Sequence, residues 1–197
     1  MENQMMFGGA VTRKVIRAQA KTAGWRWKLK NIPHRLRGWR FYAGQILGFG
    51  GFYAELRAVL RRADGTVVDY GVLGTRVVTT AFCELMVDQL QTETSVWGDF
   101  KYHDSGVGGT AEANGDTGIE TTDGEDRVAG TQTEGTSVQY QSVGTIAYTT
   151  TKAIVEHGLF NTSDSATLMD RTVFSAINVV DGDSIEFTYT LTCTAGG

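Results

Sequence analysis

The stretch from Ser184 to Cys193, SIEFTYTLTC, alternates without interruption between apolar and polar residues. Glutamate and threonine stand between the apolar positions, which are Ile185, Phe187, Tyr189, Leu191 and Cys193. Successive side chains of a β-strand point to opposite faces, so this pattern predicts a strand with one buried face and one wet face. Burial on one side only is typical of an antiparallel sheet. The stretch therefore restricts the C-terminal part of the chain to a β fold.

Further runs with strand character lie upstream of this strand. They cover residues 52–62, 66–74, 95–106, 137–151, 152–160 and 166–180. The first two runs flank Asp64-Gly65, and an Asp-Gly pair between alternating runs is a strong local signal for a β-hairpin. The chain of 197 residues contains 25 glycines and one proline, which suits many tight turns. We predict a mainly β protein, built as an antiparallel β-sandwich or jelly-roll-like domain with one helix.

The helix is predicted over residues 79–91. Its apolar residues recur at the spacing of one helical face and are Phe82, Leu85, Met86 and Leu90. Thr79 or Thr80 is the candidate N-cap, and Glu84 is expected to add favourable charge in the first turn.

Residues 105–136 form the longest stretch without a hydrophobic period. They hold eight glycines and seven acidic residues against a single basic residue, Arg127. We predict a long exposed loop with at most one short strand. The acidic residues do not follow the spacing of an EF-hand, so the prediction is solvated acids without a metal site.

Charge divides the chain into two parts. Residues 1–62 hold thirteen Lys/Arg and two acidic residues, whereas residues 63–197 hold five Lys/Arg and twenty acidic residues. We predict an extended or helical basic arm and linker over residues 1–51 and an acidic β domain over residues 52–197. Such a dense positive field attracts acidic proteins, nucleic acids or lipid head groups. The arm can equally dock on the acidic part of its own chain or of a neighbouring copy.

The arm also interleaves aromatic and basic residues. In WRWKLK the residues Trp25, Trp27 and Leu29 fall on one side of an extended chain, and the cations fall on the other. Aromatic side chains could fill apolar pockets on another subunit while the cations face acids at the rim. The same pattern can bind nucleic acid or a membrane surface. The residues predicted to bind a partner are Trp25, Arg26, Trp27, Lys28, Lys30, Arg35, Arg37, Trp39 and Arg40.

The sequence offers little for catalysis. Its three histidines are His34, His103 and His157, and none lies in a recognisable nucleophile or metal-ligand motif. Glu156 and His157 would point to opposite faces of one strand, so we expect Glu156 to pair with a cation such as Arg171. We predict no enzyme activity and no cofactor.

Two smaller predictions concern burial. The stretch KAIVEHGLFN at 152–161 is expected to form a core strand, with His157 at its end and with Ala153, Val155 and Leu159 or Phe160 pointing inward. The two cysteines, Cys83 and Cys193, are too few and too far apart for a disulfide scaffold. They are predicted to be reduced core residues.

No run reaches the ~18 apolar residues of a membrane-spanning helix, and the N-terminus lacks the features of a signal peptide. We therefore expect a protein that is soluble, or soluble once assembled.

Several segments resemble, in order, a family of small structural proteins of tailed bacteriophages of the tail-fibre and head-fibre type. The segments are GVLGTRVVTTAF (71–82), YHDSGVGGTAEANGDT (102–117), RVAGTQTEG (127–135), AIVEHGLFN (153–161) and TLMDRTVFSAINVVDGDSIEFTYTLT (167–192). Among them, the element I-x-E-x-G-L-F is similar to strands of tail-collar fibre modules. The likeness covers roughly residues 53–197 and leaves the first 50 residues unmatched.

This resemblance implies a virion component that is assembled in the host cytoplasm and is present in several copies, with a trimer favoured. The expected function is a short tail- or connector-associated fibre or adaptor-like component that binds other virion proteins through the basic arm. A capsid decoration or head-fibre protein is the nearest alternative. A nucleic-acid-binding module that uses the same arm is the alternative from a different class.

Overall fold

The computed structural model describes residues 51–75, 78–91, 100–164 and 166–194. The basic arm lies outside these ranges, together with all nine of its predicted partner-binding residues. The described residues form nine strands and one helix. The strands are β1 (Gly51–Arg61), β2 (Val67–Thr75), β3 (Tyr102–Gly106), β4 (Val128–Ala129), β5 (Thr131–Thr136), β6 (Gln139–Ala147), β7 (Lys152–Phe160), β8 (Leu168–Val179) and β9 (Ser184–Thr194), and the helix is α1 (Thr80–Gln91).

Two antiparallel sheets make up the domain. Sheet A has the strand order β2-β1-β9-β6-β5, and sheet B has the order β4-β3-β7-β8. One hydrophobic cluster draws side chains from both sheets, as in a β-sandwich. The predicted mainly β, sandwich-like fold is confirmed.

Strand β9 has the register predicted from the alternation of its residues. β9 lies at the centre of sheet A, between β1 and β6. Ile185, Phe187 and Tyr189 are fully buried and Leu191 is nearly so. The prediction is wrong for Cys193, which is exposed near the end of the strand, and also for Cys83, which is exposed on α1. Both cysteines are free thiols, but neither is a core residue.

The predicted hairpin and helix are both present. The β1–β2 turn places Gly65 at φ 84°, a conformation that favours glycine, and the Asp64 carboxylate accepts a hydrogen bond from the Thr66 amide at 2.8 Å. Thr79 caps α1, since its hydroxyl oxygen accepts a hydrogen bond from the Phe82 amide at 3.2 Å. Glu84 lies beyond the first helical turn, contrary to the prediction. This helix is not long and apolar enough to cross a membrane, and no other helix occurs in the part of the chain that the structure describes.

Strand β7 is a core strand as predicted, and its end is buried at Leu159 and Phe160, but the register predicted for its first half is wrong. Ile154 is fully buried, whereas Ala153 is exposed and Val155 is half-buried. The reason is a register shift between Ile154 and Glu156, opposite extra residues of β8, which interrupts the alternation of faces. The prediction that His157 lies at the end of the strand is also wrong, because it lies within β7 and is buried against Phe187 of the core.

The segment 105–136 is more structured than predicted. It contains the end of β3, the short β4 and all of β5, so that only residues 107–127 form a connecting loop. Within this loop Glu112 and Asp123 are buried. The loop contacts Glu156 and Gly158 of β7, and so it covers one side of sheet B.

Candidate functional site

The loop 107–127 is held by one buried carboxylate. Glu156 has no exposed area, and its Oε1 accepts hydrogen bonds from the amides of Gly108 at 2.8 Å and Thr121 at 2.9 Å. Its Oε2 accepts one from the Glu120 amide at 3.0 Å. A carboxylate on β7 therefore satisfies three backbone donors of a loop that has no ladder partners for them.

Arg171 compensates the buried charge of Glu156. Its Nε lies 2.7 Å from Glu156 Oε2, and the pair is confirmed as predicted. The two terminal nitrogens of the same guanidinium bind Asp116 at 3.1 Å and Glu120 at 3.2 Å. Burial by itself would lower the pKa of Arg171, but hydrogen bonds and charge from Glu156 and Asp116 outweigh it and raise that pKa. The guanidinium stays charged and ties the middle of the loop, at Asp116 and Glu120, to β8 and to Glu156 of β7.

A second cation, Arg127, makes several contacts at the adjacent edge of sheet B. Arg127 forms an ion pair with Asp104 at 3.1 Å, and its guanidinium carbon lies 3.7 Å from the centroid of the Phe160 ring. It also donates to the carbonyl oxygens of Thr162 and Ser163. Burial raises the pKa of the Asp104 carboxyl, although Arg127 opposes this shift. The contacts link the start of β4 to the β7–β8 connection.

A buried polar chain crosses the interior between the two sheets. His103 Nδ1 lies 2.9 Å from His157 Nε2, and His103 Nε2 lies 2.9 Å from the Ser142 hydroxyl. His157 contacts Phe187 with a ring-centroid separation of 4.6 Å. Gly144 of β6 provides the space for this arrangement, because a β-carbon at that position would overlap the His103 ring. Sequence reasoning missed this group, since its members lie on three strands and no local spacing connects them.

The chain Ser142–His103–His157 has the order of a nucleophile, a base and an orienting group. These three residues are buried, so their role is structural and not catalytic. Ser142 and His103 have no exposed area and His157 is 1% exposed, so a substrate has no access to the hydroxyl. Each ring nitrogen of His103 has one polar neighbour, which a neutral imidazole satisfies with one donor and one acceptor. The group is a satisfied polar network in the core.

We expect this network to make stability depend on pH. Burial lowers the pKa of His103 from 6.5 to about 4. The unfolded chain therefore binds more protons than the folded protein between these values, and stability falls as the pH falls. The loss should be about 2 kcal/mol between about pH 7.5 and about pH 5, measured by urea unfolding at each pH.

The control for this pH dependence is His103→Gln, which removes the titrating group. Its free energy of unfolding should be lower at every pH, but should change much less over the same interval. The interval stops at about pH 5 because burial raises the pKa values of Asp104 and Asp123, so these carboxyls would add their own pH dependence in more acidic solution. Equal slopes for the wild-type protein and the variant would contradict the assignment to His103.

An apolar concave feature lies where the chain enters β1. A cavity of about 290 Å³ opens between the start of β1, the helix α1 and the end of β9. Its apolar walls are Phe52, Phe82, Met86, Phe100, Met169 and Leu191. The exposed Cys193 lies at its edge, and a wider groove lined by β5 and β6 continues from there past Val138 and Tyr140. We call the cavity, with Cys193 at its edge, the entry groove.

Within the described ranges, no group of three His, Cys, Asp or Glu side chains is placed to hold a metal ion. Comparison with protein-family models, with curated proteins and with solved structures gave no match.

Proposed function

We propose that this protein is a structural component of a tailed-bacteriophage particle. In this proposal the β-sandwich is a short tail- or connector-associated fibre or adaptor-like body. The basic N-terminal arm binds neighbouring virion proteins, and the assembly takes place in the host cytoplasm. The ordered resemblance over residues 53–197 is the starting point, and the mainly β fold is compatible with it.

The observation that carries the proposal is that the basic side chains of the β-sandwich are paired with acids of the same β-sandwich. The described residues contain seven Lys/Arg side chains, and at least six of them form ion pairs with acids of the same body. Nineteen acidic residues lie in the same ranges. Residues 1–50 hold ten Lys/Arg and one acidic residue. The cations of the body are thus engaged internally, and those of the arm supply positive charge for a partner surface.

The buried polar groups of the body also support a binding role, because they interact with one another and not with a ligand. Glu156, Arg171 and His103 are engaged with the loop 107–127 or with other core residues, and none of them faces an open cleft. Such satisfied networks make a domain rigid. A rigid body that carries a basic, tryptophan-containing arm suits anchoring to a larger assembly.

The negative charge of the body also argues against nucleic acid as the partner. A surplus of negative charge repels the phosphate backbone, which disfavours a nucleic-acid-binding module even though its arm is basic. A capsid decoration or head-fibre protein would use the arm in the same manner, and it differs from the proposed function only in the position on the particle.

The test is incorporation into particles of the virus that encodes the chain. In the full-length protein, Arg26, Lys28, Arg35, Arg37 and Arg40 are replaced together by glutamine. We expect this variant to fold normally but to be absent from purified particles, as judged by immunodetection. The matched control is Arg57→Gln, which removes an exposed cation of the body and should leave incorporation unchanged.

Light scattering after size exclusion, at low and high salt, separates the rival functions. A homo-oligomer of about three chains that persists in high salt supports the virion proposal. Protein that carries nucleic acid until salt removes it would favour the nucleic-acid-binding module. Normal incorporation of the five-cation variant would overturn the anchoring role of the arm.

A further inference from the structure

The entry groove is apolar and lies directly beside the point where the described residues begin. Phe52, the second residue of β1, forms one of its walls. Its other apolar walls come from α1, β9, the start of β8 and the residue Phe100 shortly before β3. An apolar concavity of this kind is unfavourable in water unless something covers it.

The segment that precedes β1 has the matching chemistry. Residues 41–49, FYAGQILGF, contain five large apolar side chains and no charged residue. The charged part of the arm ends at Arg40, so the change from basic to apolar sequence falls just before the groove. Ile46 and Leu47 are the two adjacent aliphatic residues of this segment. The cavity of about 290 Å³ is small by the standard of ligand pockets, which fits one or two side chains.

We propose that the entry groove is the docking site for residues 41–49 of the same chain, with Ile46 and Leu47 as the side chains that fill it. The connection is short, because only Gly48, Phe49, Gly50 and Gly51 separate Leu47 from Phe52. Glycine adopts positive and negative φ with similar ease, so these three glycines allow the chain to turn back onto the groove. A tether of this length gives a high effective concentration of the segment.

Docking would fix the base of the arm. Arg40 and the cations before it would then leave the body from a defined edge beside β5 and α1. Docking of residues 41–49 does not depend on which partner those cations bind, so it is independent of the virion proposal.

Cys193 provides the reporter, because it is a free, exposed thiol at the edge of the groove. In a Cys83→Ser background it is the single thiol of the protein, and its rate of reaction with a disulfide reagent such as DTNB reports how well the groove is covered. Adding Ile46→Ser and Leu47→Ser should raise this rate at least about tenfold, since serine side chains lack the apolar area whose burial favours docking. Leu47→Ser alone is the second variant if the double substitution impairs folding.

The matched control is Val15→Ser with Ile16→Ser, the adjacent aliphatic pair near the other end of the arm. This variant should react at the rate of the Cys83→Ser protein. The conservative change Ile46→Val with Leu47→Met should also keep the slow rate, because the groove requires apolar character. Circular dichroism confirms that each variant is folded at the temperature used. Equal rates for all of these proteins would overturn the inference.

Co-expression distinguishes docking within one chain from docking between copies. The serine variant at Ile46 and Leu47 is produced together with an excess of chains that have an intact arm and carry Cys83→Ser and Cys193→Ser. We expect Cys193 of the serine variant, which is the only thiol in these mixed samples, to keep its fast rate of reaction with DTNB. Restored protection would place the arm of a second copy in the groove and would overturn docking within the chain. The five-cation glutamine variant should retain the slow rate even if it fails to enter particles, so the two proposals can fail separately.

Discussion

Replacing Arg171 with methionine should lower the free energy of unfolding by about 3–5 kcal/mol, because it leaves the buried charge of Glu156 without its compensating cation. Glu156 has no exposed area and Arg171 is 4% exposed, so water cannot easily take over this role. Urea denaturation with linear extrapolation measures the loss. Hydrogen exchange at the amides of Gly108, Glu120 and Thr121 should accelerate as well, since all three donate to Glu156.

Arg57→Met is the matched control for this change. Arg57 pairs with Asp69, but its side chain is 51% exposed, and exposed pairs contribute about 0–1 kcal/mol. The double variant Arg171→Met with Glu156→Gln should recover part of the loss, since it removes the uncompensated charge. If Arg171→Met and Arg57→Met cost the same, the buried ion pair does not hold the loop 107–127 in place.

Phe187→Ala should also cost about 3–5 kcal/mol, the usual range for truncating a buried phenylalanine. Phe187 lies at the centre of β9 with no exposed area. Its ring contacts His157 of sheet B and lies 6.3 Å, between centroids, from Phe174. The substitution would leave a cavity between the sheets next to the polar network of His103. Because natural domains are stable by only about 5–15 kcal/mol, the variant should be visibly less stable in thermal and urea unfolding.

Thr188→Ala provides the comparison for the same strand. Thr188 is the next residue along β9, is half-buried and points to the other face of sheet A. Its replacement should change the free energy of unfolding by less than about 1 kcal/mol. A larger cost for Thr188→Ala than for Phe187→Ala would contradict the assignment of the two faces.

Sequence patterns correctly predicted the elements that are stabilised by residues close to one another in the chain. The Asp64-Gly65 turn, the N-cap at Thr79 and the alternation along β9 each depend on residues within a few positions of one another. The Glu156–Arg171 pair was also predictable, because a carboxylate within an apolar strand requires a nearby cation. These features specify a mainly β domain with one helix.

Long-range pairing decided the features that the sequence analysis missed or misplaced. The register shift in β7 depends on extra residues in β8, and it moves Ile154 and His157 to the core face. His103, Ser142 and His157 meet only because three strands from two sheets pack together. Cys193 continues the apolar alternation of β9, but its position near the end of the strand places it at the edge of the entry groove rather than in the core.

The sequence by itself determined the fold class and the division of charge between a basic N-terminal part and an acidic remainder, because periodicity, charge and turn chemistry are properties of neighbouring residues. Only the tertiary structure decided which polar residues are buried together, how the loop 107–127 is held to sheet B, and that an apolar groove opens beside Phe52. Those outcomes depend on contacts between residues far apart in the chain. The pairing of strands within each sheet sets these contacts, and the sequence around a residue does not show which distant strand it will pair with.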